Sequence, residues 1–179
     1  GDFQLLEQLG LENGFVVNEI SEQVLQESVV SSTKIRASIA AHDIETANIF
    51  LGYPYFFDGL VVEGNKVGRT IGYPTANLHI APEEKLIPSD GVYAVRVTIN
   101  DAKEVYMGMM NIGVRPTIDG KKRVVEVNIF DFDADIYGAQ VKVELYYYLR
   151  GEVKFDGLEG LKAQLLQDKN KATTLLKSH

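Results

Sequence analysis

Two segments of the chain alternate apolar and polar residues with a period of two, and this pattern restricts the folds available. Residues 93–99 read YAVRVTI, and residues 141–149 read VKVELYYYL. Successive side chains of a β-strand point to opposite faces, so each segment predicts a strand with one buried face. Turn signals such as Asn100-Asp101 separate these strands from other short β-rich runs. From Pro54 onward the pattern therefore predicts a barrel or a sandwich.

Other short segments complete this pattern. Three further runs predict strands, at residues 56–63, 105–111 and 123–130. Near the end of the chain, Asp156 followed by Glu159 resembles a capping box, and leucines at helical spacing follow it. The sequence therefore predicts a C-terminal helix that starts at about Gly157 and lies on the β-rich part.

The first fifty residues have a helical pattern with one strand. A short helix is predicted to end at Gly10, and residues 14–20 are predicted to form a strand. The serines and threonine at residues 31–33 can cap a helix that runs through Ile39. Asp43 can cap a second helix, which is predicted to end before Gly52.

Charge and cysteine content exclude several classes of protein. Residues 1–53 carry eight acidic and two basic side chains, and residues 54–179 carry seventeen and sixteen. A protein that binds nucleic acid non-specifically normally has a basic excess, which neither part has. Cysteine is absent, which excludes disulfides and fits a reducing compartment. No apolar stretch reaches the length of a membrane span, so we expect a cytoplasmic protein without nucleic-acid or membrane partners.

A glycine-rich segment at residues 63–77, EGNKVGRTIGYPTAN, is the densest candidate for ligand chemistry. Glycines such as Gly64 let the backbone approach a phosphate closely, and their N–H groups can form an anion-binding nest. Lys66 and Arg69 could neutralise phosphate oxygens. The spacing does not match a Walker A loop.

Thr75 and Asn77 offer a hydroxyl and an amide carbonyl two residues apart. In an extended segment these side chains share a face. Oxygen ligands of this kind suit Mg²⁺, which takes its remaining ligands from water and phosphates. The alternative interpretation is an ordinary barrel loop with a proline turn.

A carboxylate on a predicted strand is the second candidate. In the run 124–129, Val125 and Val127 take one face, and Glu126 and Asn128 take the other. A glutamate beside a nucleotide loop could act as a general base. The alternative is a solvent-facing glutamate on the outside of a barrel.

The sequence does not decide the roles of two arginines and of a run of three tyrosines. Arg115, within NIGVRPT at residues 111–117, and Arg150, at the end of the last strand, could each contact a phosphate or simply be exposed. Residues 146–148 are three tyrosines that could face a flavin, although aromatic residues on a strand are more often core or sheet surface. The spacing of the three histidines does not indicate a histidine metal site.

Taken together, these segments resemble the riboflavin kinase family. The Pro-Thr-Ala-Asn motif is residues 74–77, and the Asn-Ile-Gly-x-Arg-Pro-Thr motif is residues 111–117. Glu126 stands in the Val-Glu-x-x-Ile-Phe context, and residues 132–138 fit the segment that follows it. The resemblance covers about residues 55–170, and several motifs in the right order make it more specific than any one alone.

The resemblance implies a mainly β fold. It is a six-stranded antiparallel Greek-key β-barrel with a C-terminal α-helix packed outside, preceded here by a short helical N-terminal remnant. The implied activity is that of a kinase, which transfers the terminal phosphate of ATP to the 5′-hydroxyl of riboflavin and yields FMN and ADP. Positioning and charge stabilisation dominate catalysis of phosphoryl transfer.

The resemblance also implies roles for individual residues. Glu126 accepts the proton of the attacking hydroxyl, and Arg150 and Arg115 contact the flavin. Thr75 and Asn77 hold Mg²⁺, with Zn²⁺ as the alternative metal. Nucleotide binding is implied for five residues: Gly64, Lys66, Arg69, Thr75 and Asn77.

The N-terminal part resembles the end of an FMN adenylyltransferase (FAD synthetase) domain, through the motif SSTKIR at residues 31–36. Hydroxyls and cations at a helix N-terminus suit a nucleotide phosphate. We therefore expect residues 1–53 to be the C-terminal remnant of an adenylyltransferase domain and residues 54–179 to be the kinase domain. The His-rich nucleotide motif of the adenylyltransferase family does not occur in the chain. The chain is expected to make FMN but not FAD, which a longer parent protein with the complete domain would make.

Two alternatives to a kinase remain open at this stage. A non-catalytic flavin- or nucleotide-binding barrel would keep the fold and lack turnover. A barrel that binds single-stranded nucleic acid would combine a basic groove with stacking aromatics, which the acidic balance disfavours.

Overall fold

The computed structural model describes residues 24–25, 28–64, 67–81, 86–117 and 120–178. The chain divides into two compact units, residues 1–31 and residues 32–179. In the first unit, β1 (Val24–Leu25) pairs with β2 (Ser28–Val29) as a short antiparallel ladder. The predicted helix before Gly10 and the predicted strand at residues 14–20 lie outside the described residues.

Two helices open the second unit, as the sequence predicts. Helix α1 is Ser32–Ala40, and helix α2 is Ile44–Leu51. The Asp43 carboxylate caps α2 by accepting a hydrogen bond from the Thr46 amide at 3.1 Å. Gly52 ends α2 in the left-handed conformation, with φ of 78°, which glycine adopts without strain.

Six strands then form a closed antiparallel barrel in the order β3-β4-β7-β6-β5-β8. Strands β5, β6 and β7 are consecutive hairpins, and β8 returns to lie beside β5, which is a Greek-key connection. The prediction of a six-stranded Greek-key barrel is confirmed. The strands are β3 (Phe56–Val62), β4 (Ala76–His79), β5 (Gly91–Ile99), β6 (Val105–Thr117), β7 (Gly120–Ile129) and β8 (Gln140–Arg150).

The barrel interior is filled by the alternate residues of these strands. Phe57, Tyr93, Val143 and Leu145 have no exposed surface, and they belong to one apolar cluster with residues of the other strands. Because successive side chains of a strand point to opposite faces, the residues that alternate with these core residues along each strand point outward. The outward residues of β4, β6 and β7 carry the polar groups described below.

Helix α4 (Leu158–Lys177) covers part of the outer surface. Ala172 and Leu176 are buried there against Val92 and Met109 of the barrel, in a second apolar cluster. The helix starts where the sequence predicts, but its N-cap is Gly157, and no side chain makes a capping hydrogen bond. The predicted capping box is therefore wrong. Among the described residues, no helix is long and apolar enough to cross a membrane.

The last strand departs from simple alternation beyond Leu145. Strand β8 has register shifts against β5, where Val95 pairs with Leu145 but Ala94 pairs with Tyr147. The extra residue turns Tyr146 outward into the cluster beneath α4, and Leu149 joins it there. The prediction that residues 141–149 present one continuous apolar face is wrong after Leu145, because β-bulges reverse the face.

Helices α1 and α2 belong to the same compact unit as the barrel. Ile44 lies in the barrel core cluster, and His42 stacks on Tyr148 with ring centroids 4.2 Å apart. The His42 imidazole also hydrogen-bonds the Tyr93 hydroxyl at 2.9 Å. Burial, with a smaller contribution from Tyr148, raises the pKa of Tyr93 well above its usual range. The domain boundary between residues 53 and 54 stays a prediction. The division into compact units is a separate feature and falls after residue 31.

Candidate active site

The described part of the glycine-rich segment after residue 66 forms a compact turn before β4. It contains the short helix α3 (Val67–Thr70), and the Tyr73 amide donates a hydrogen bond to the Gly68 carbonyl at 2.8 Å. A Cβ atom at Gly68 would overlap the Tyr73 carbonyl oxygen, so this turn requires glycine. Lys66, one of the predicted nucleotide ligands, lies outside the described residues.

Gly64 lies directly against the side chain of Asn77. A Cβ atom at Gly64 would overlap the Asn77 carboxamide, so the absence of a side chain at 64 leaves the room that this amide occupies. Two residues predicted to bind nucleotide are therefore in contact.

For the phosphotransfer that the family resemblance implies, we expect Gly64→Ala to displace the Asn77 carboxamide and to lower the rate by about 10-fold or more, since a 1 Å misplacement can cost ~10²-fold. Steady-state kinetics would measure this. Gly160→Ala is the matched control, because a Cβ atom there meets only Phe155 at ordinary contact distance. Equal activity of the two variants would contradict a role for the position of Asn77.

Strand register aligns three polar residues in one row across the outer surface. Asn77 of β4 is the register partner of Glu126 of β7, and Asn111 of β6 is its partner on the other side. The neighbouring residues Val125 and Val127 lie in the barrel core, so Glu126 points outward. Directly opposed residues have Cβ atoms about 4.5–5.5 Å apart. We name Asn77, Glu126 and Asn111 the polar row.

Glu126 is paired with an arginine from the neighbouring strand. The Arg115 guanidinium donates to the Glu126 carboxylate at 3.3 Å, and the side chains are 54% and 24% exposed. Arg115, which the sequence predicts to bind flavin, therefore contacts the predicted base.

Asn128 fixes the start of the Pro-Thr-Ala-Asn motif. Its side-chain amide donates to the Pro74 carbonyl at 2.7 Å, and the residue is buried, with 6% exposure. This bond ties β7 to the residue before Thr75. The sequence places Asn128 on the same face as Glu126 but gives it no role, because the partner is a backbone atom 54 positions away.

A cavity of about 600 Å³ opens beside the turn. Its lining includes Arg69, Thr75 and Ala76, together with residues 132–137 and the core residues Val61, Val127 and Ile129. Arg69 supplies positive charge, and two aspartates supply negative charge. The lining residues 132–137 match the family resemblance, but the sequence alone assigns them no role.

Arg150, the other predicted flavin ligand, is paired with a buried carboxylate. Its guanidinium donates to both oxygens of Asp168 in α4, to Oδ1 at 3.0 Å and to Oδ2 at 2.7 Å, and to the Gly151 carbonyl at 2.8 Å. Asp168 is 3% exposed. Arg150 is the register partner of Val92 on β5, and Val92 is in turn the partner of Asn111 on β6. Arg150 therefore lies in the same row as Glu126, three strands away. The structure thus brings Asn77 and Glu126 together and ties Arg150 to the C-terminal helix.

The donor atoms of the predicted metal site are neutral oxygens. The described residues contain no group of three or more histidine, cysteine, aspartate or glutamate side chains suited to a metal ion. Thr75 and Asn77 supply a hydroxyl and a carbonyl oxygen, and the space at Gly64 accommodates the carboxamide. This donor set fits Mg²⁺ bound chiefly through the phosphates of a nucleotide.

The structure thus shows a closed six-stranded barrel with a cavity and with a carboxylate between two amides on its outer face. A family model described as flavokinase, riboflavin kinase, matches residues 51–176. The chain belongs to the riboflavin kinase family.

Curated relatives agree with this assignment. The chain is 39% identical over 178 residues to a protein of Haemophilus influenzae, covering 99% of the chain and 57% of the relative. It is 42% identical over 160 residues to a Bacillus subtilis protein, covering 88% of the chain and 49% of the relative. Both are described as bifunctional riboflavin kinase/FMN adenylyltransferases. The chain spans about half the length of these relatives.

Solved structures share the fold. A crystal structure described as a macrolide-efflux protein from Streptococcus pneumoniae matches 91% of the chain and 53% of its own, with a TM-score of 0.81 and 39% identity. The crystal structure of riboflavin kinase from Trypanosoma brucei matches 69% of the chain and 80% of its own, with a TM-score of 0.54 and 27% identity.

Proposed function

We propose that this chain transfers the terminal phosphate of ATP to the 5′-hydroxyl of riboflavin, giving FMN and ADP. The family assignment supports the activity. The single observation that carries the mechanism is the register of β4 and β7, which makes Asn77 the direct neighbour of Glu126. A nucleotide-binding group and a carboxylate base must lie this close for one phosphoryl group to pass between substrates.

In the proposed mechanism, Glu126 is the general base. Its carboxylate accepts the proton of the riboflavin 5′-hydroxyl while the hydroxyl oxygen attacks the γ-phosphorus and the bond to the ADP oxygen breaks. The outward position of Glu126 supports this role, since it leaves the carboxylate accessible from the polar row. A general base typically contributes ~10²–10⁴-fold to the rate.

The nucleotide is proposed to occupy the cavity beside the turn. Arg69 and Thr75 line that cavity, and Asn77 follows Thr75 by two residues. Gly64, Arg69 and the more N-terminal Lys66 would contact the phosphates. Thr75 and Asn77 would hold Mg²⁺, or Zn²⁺ in its place, and a bound cation would offset the negative charge of the phosphates.

The flavin is proposed to contact Arg150, and the family resemblance offers Arg115 as a second contact. To contact the flavin, Arg150 must donate a hydrogen bond to it from an N–H group, either while the ion pair with Asp168 is retained or in place of that ion pair. Asp168 is buried, and leaving a buried carboxylate unpaired costs about 3–5 kcal/mol. We therefore expect the pair to persist in the complex.

Conversion of riboflavin to FMN tests the proposed function. The chain is incubated with riboflavin, ATP and Mg²⁺, and the flavins are separated by chromatography. Formation of FMN with an equal amount of ADP supports the kinase. Binding of riboflavin or ATP without turnover would instead support the non-catalytic barrel, and the residues of the polar row are the reason that we favour the kinase.

We expect Thr75→Ala to raise the Mg²⁺ concentration needed for half-maximal activity and to weaken nucleotide binding, because one oxygen ligand is lost. Titration of Mg²⁺ at fixed ATP measures the effect. Thr98→Ala, on the strand β5 that does not contact the cavity, is the control. An unchanged Mg²⁺ requirement would contradict the role of Thr75 as a ligand.

Adenylylation of FMN is proposed for a longer parent protein with a complete adenylyltransferase domain, as in the relatives described as bifunctional. Residues 1–53 are proposed to be the remnant of that domain. We expect the chain of residues 1–179 to accumulate FMN without FAD, since it lacks the His-rich nucleotide motif. The same chromatographic assay resolves the two flavins, and FAD formation by this chain would refute the expectation.

The remaining parts of the proposal concern partners and location. Riboflavin and ATP are the proposed partners, and the acidic balance speaks against nucleic acid. A binding titration with single-stranded nucleic acid at low salt would show no association. A cytoplasmic location is proposed, and the absence of cysteine, and hence of disulfides, fits a reducing compartment.

A further inference from the structure

We propose that Arg115 is a positioning residue that orients the Glu126 carboxylate for proton transfer, in place of the flavin contact that the family resemblance offers. This inference rests on the proposed kinase function. It concerns whether Arg115 orients the Glu126 carboxylate or binds the flavin, and the experiment below tests this separately from whether the chain is a kinase.

The first observation is the contact itself. The Arg115 guanidinium donates to one oxygen of Glu126 at 3.3 Å. In the part of the chain that the structure describes, Arg115 is the one donor found for this carboxylate. Within the described part of the chain, the two flanking members of the polar row, Asn77 and Asn111, are its register partners but form no hydrogen bond to it.

The second observation is the path between the two residues. Glu126 is opposite Asn111 on β6, so Arg115 lies four residues further along that strand. Between Asn111 and Arg115, the outward position is Gly113, which has no side chain. Gly113 therefore places no side chain of β6 between Arg115 and the polar row. The Glu152 carboxylate occupies the space where a Cβ atom of residue 113 would lie.

The third consideration is what the pair does energetically. An ion pair between side chains as exposed as these contributes about 0–1 kcal/mol, so it does not explain the stability of the fold. It does restrict the side-chain rotamers of Glu126. A general base must lie within hydrogen-bond reach of the proton that it takes, so orientation of its carboxylate changes the rate even when stability is unaffected.

The test compares Arg115→Ala with Lys142→Ala. Lys142 also pairs with a glutamate on the outside of the barrel, Glu144 on β8, at 2.9 Å, and has no proposed role. We expect Arg115→Ala to lower kcat about 10-fold or more, within the ~10²-fold that a 1 Å misplacement can cost. The KM for riboflavin and for ATP should not change, and Lys142→Ala should behave like the unmodified chain. Arg115→Lys should restore part of kcat.

A double-variant cycle identifies the partner of Arg115. In the Glu126→Gln background, Arg115→Ala should have no further effect on kcat, because the group that it orients no longer accepts a proton. Riboflavin affinity, followed by flavin fluorescence in the presence of ADP, should be the same in both backgrounds. Thermal unfolding checks that each variant is folded, and Arg115→Gln replaces the alanine variant if that one is not.

Two results would overturn the inference. A raised KM for riboflavin with unchanged kcat would assign Arg115 to the flavin, and an unchanged kcat with unchanged KM would leave it no role in positioning. The unmodified chain separates these results from failure of the kinase function. If it forms FMN while Arg115→Ala is equally active, only this inference fails, and if it forms no FMN, the proposed function fails with it.

Discussion

Glu126→Gln is expected to lower kcat for riboflavin phosphorylation by at least ~10²-fold, the lower end of what a general base contributes. Glutamine has nearly the same shape but cannot accept the proton of the 5′-hydroxyl. The fold should persist, because Glu126 points away from the core and its ion pair with Arg115 is partly exposed. Single-turnover assays and thermal unfolding of the same sample measure the two quantities.

Glu144→Gln is the matched control for this prediction. Glu144 also lies on the outer face of a barrel strand and pairs with a cation, and its side chain is 21% exposed against 24% for Glu126. Its activity should equal that of the unmodified chain. Near-normal turnover of the Glu126 variant would show that the base is wrongly assigned.

The second large effect concerns the helices before the barrel. A chain of residues 54–179 is expected to be less stable than a chain of residues 32–179 by about 3–6 kcal/mol. Ile39 and Ile44 are each 1% exposed, and burying such a side chain contributes about 1.5–3 kcal/mol. A net stability of about 5–15 kcal/mol is typical of a domain, so this loss is large. Urea unfolding followed by circular dichroism measures it.

The hydrogen bonds of Asn48 add to this expectation. Its side chain donates to the Leu145 carbonyl at 2.8 Å and accepts from the Tyr55 amide at 2.7 Å, joining α2 to the barrel. Equal stability of residues 54–179 would argue that the barrel is independent of α1 and α2.

The sequence predicts those parts of the fold that depend on local periodicity. Alternation assigns Val125 and Val127 to the core and Glu126 to the opposite face, as the structure has them. The caps of α2 are also predicted, because Asp43 and Gly52 act through their nearest neighbours along the chain. Such features need only the geometry of one strand or one helix end.

Features that depend on pairing between distant segments are not predicted. The face of β8 reverses after Leu145 because its register shifts against β5, and nothing in residues 141–149 signals a bulge. The packing of Ile44 into the barrel core is not predicted either, because the residues around it indicate only an amphipathic helix.

The candidate site shows the same division. Thr75, Asn77 and Glu126 are singled out by residue type, spacing and family motifs, and the register of β4 and β7 brings the last two together. The partners of Arg115 and Arg150 lie 11 and 18 positions away on other elements, so spacing along the chain could not reveal them. Both arginines therefore read as free ligand-binding groups in the sequence.

Phosphoryl transfer is proposed to take place between a nucleotide in the cavity and a flavin whose reacting hydroxyl lies at Glu126 of the polar row. A crystal structure of the chain with Mg²⁺, ADP and FMN tests it most directly. We expect ADP between Arg69 and Thr75, and the FMN phosphate within hydrogen-bond reach of Glu126. A complex in which the FMN phosphate lies away from Glu126, with the nucleotide outside this cavity, would contradict it.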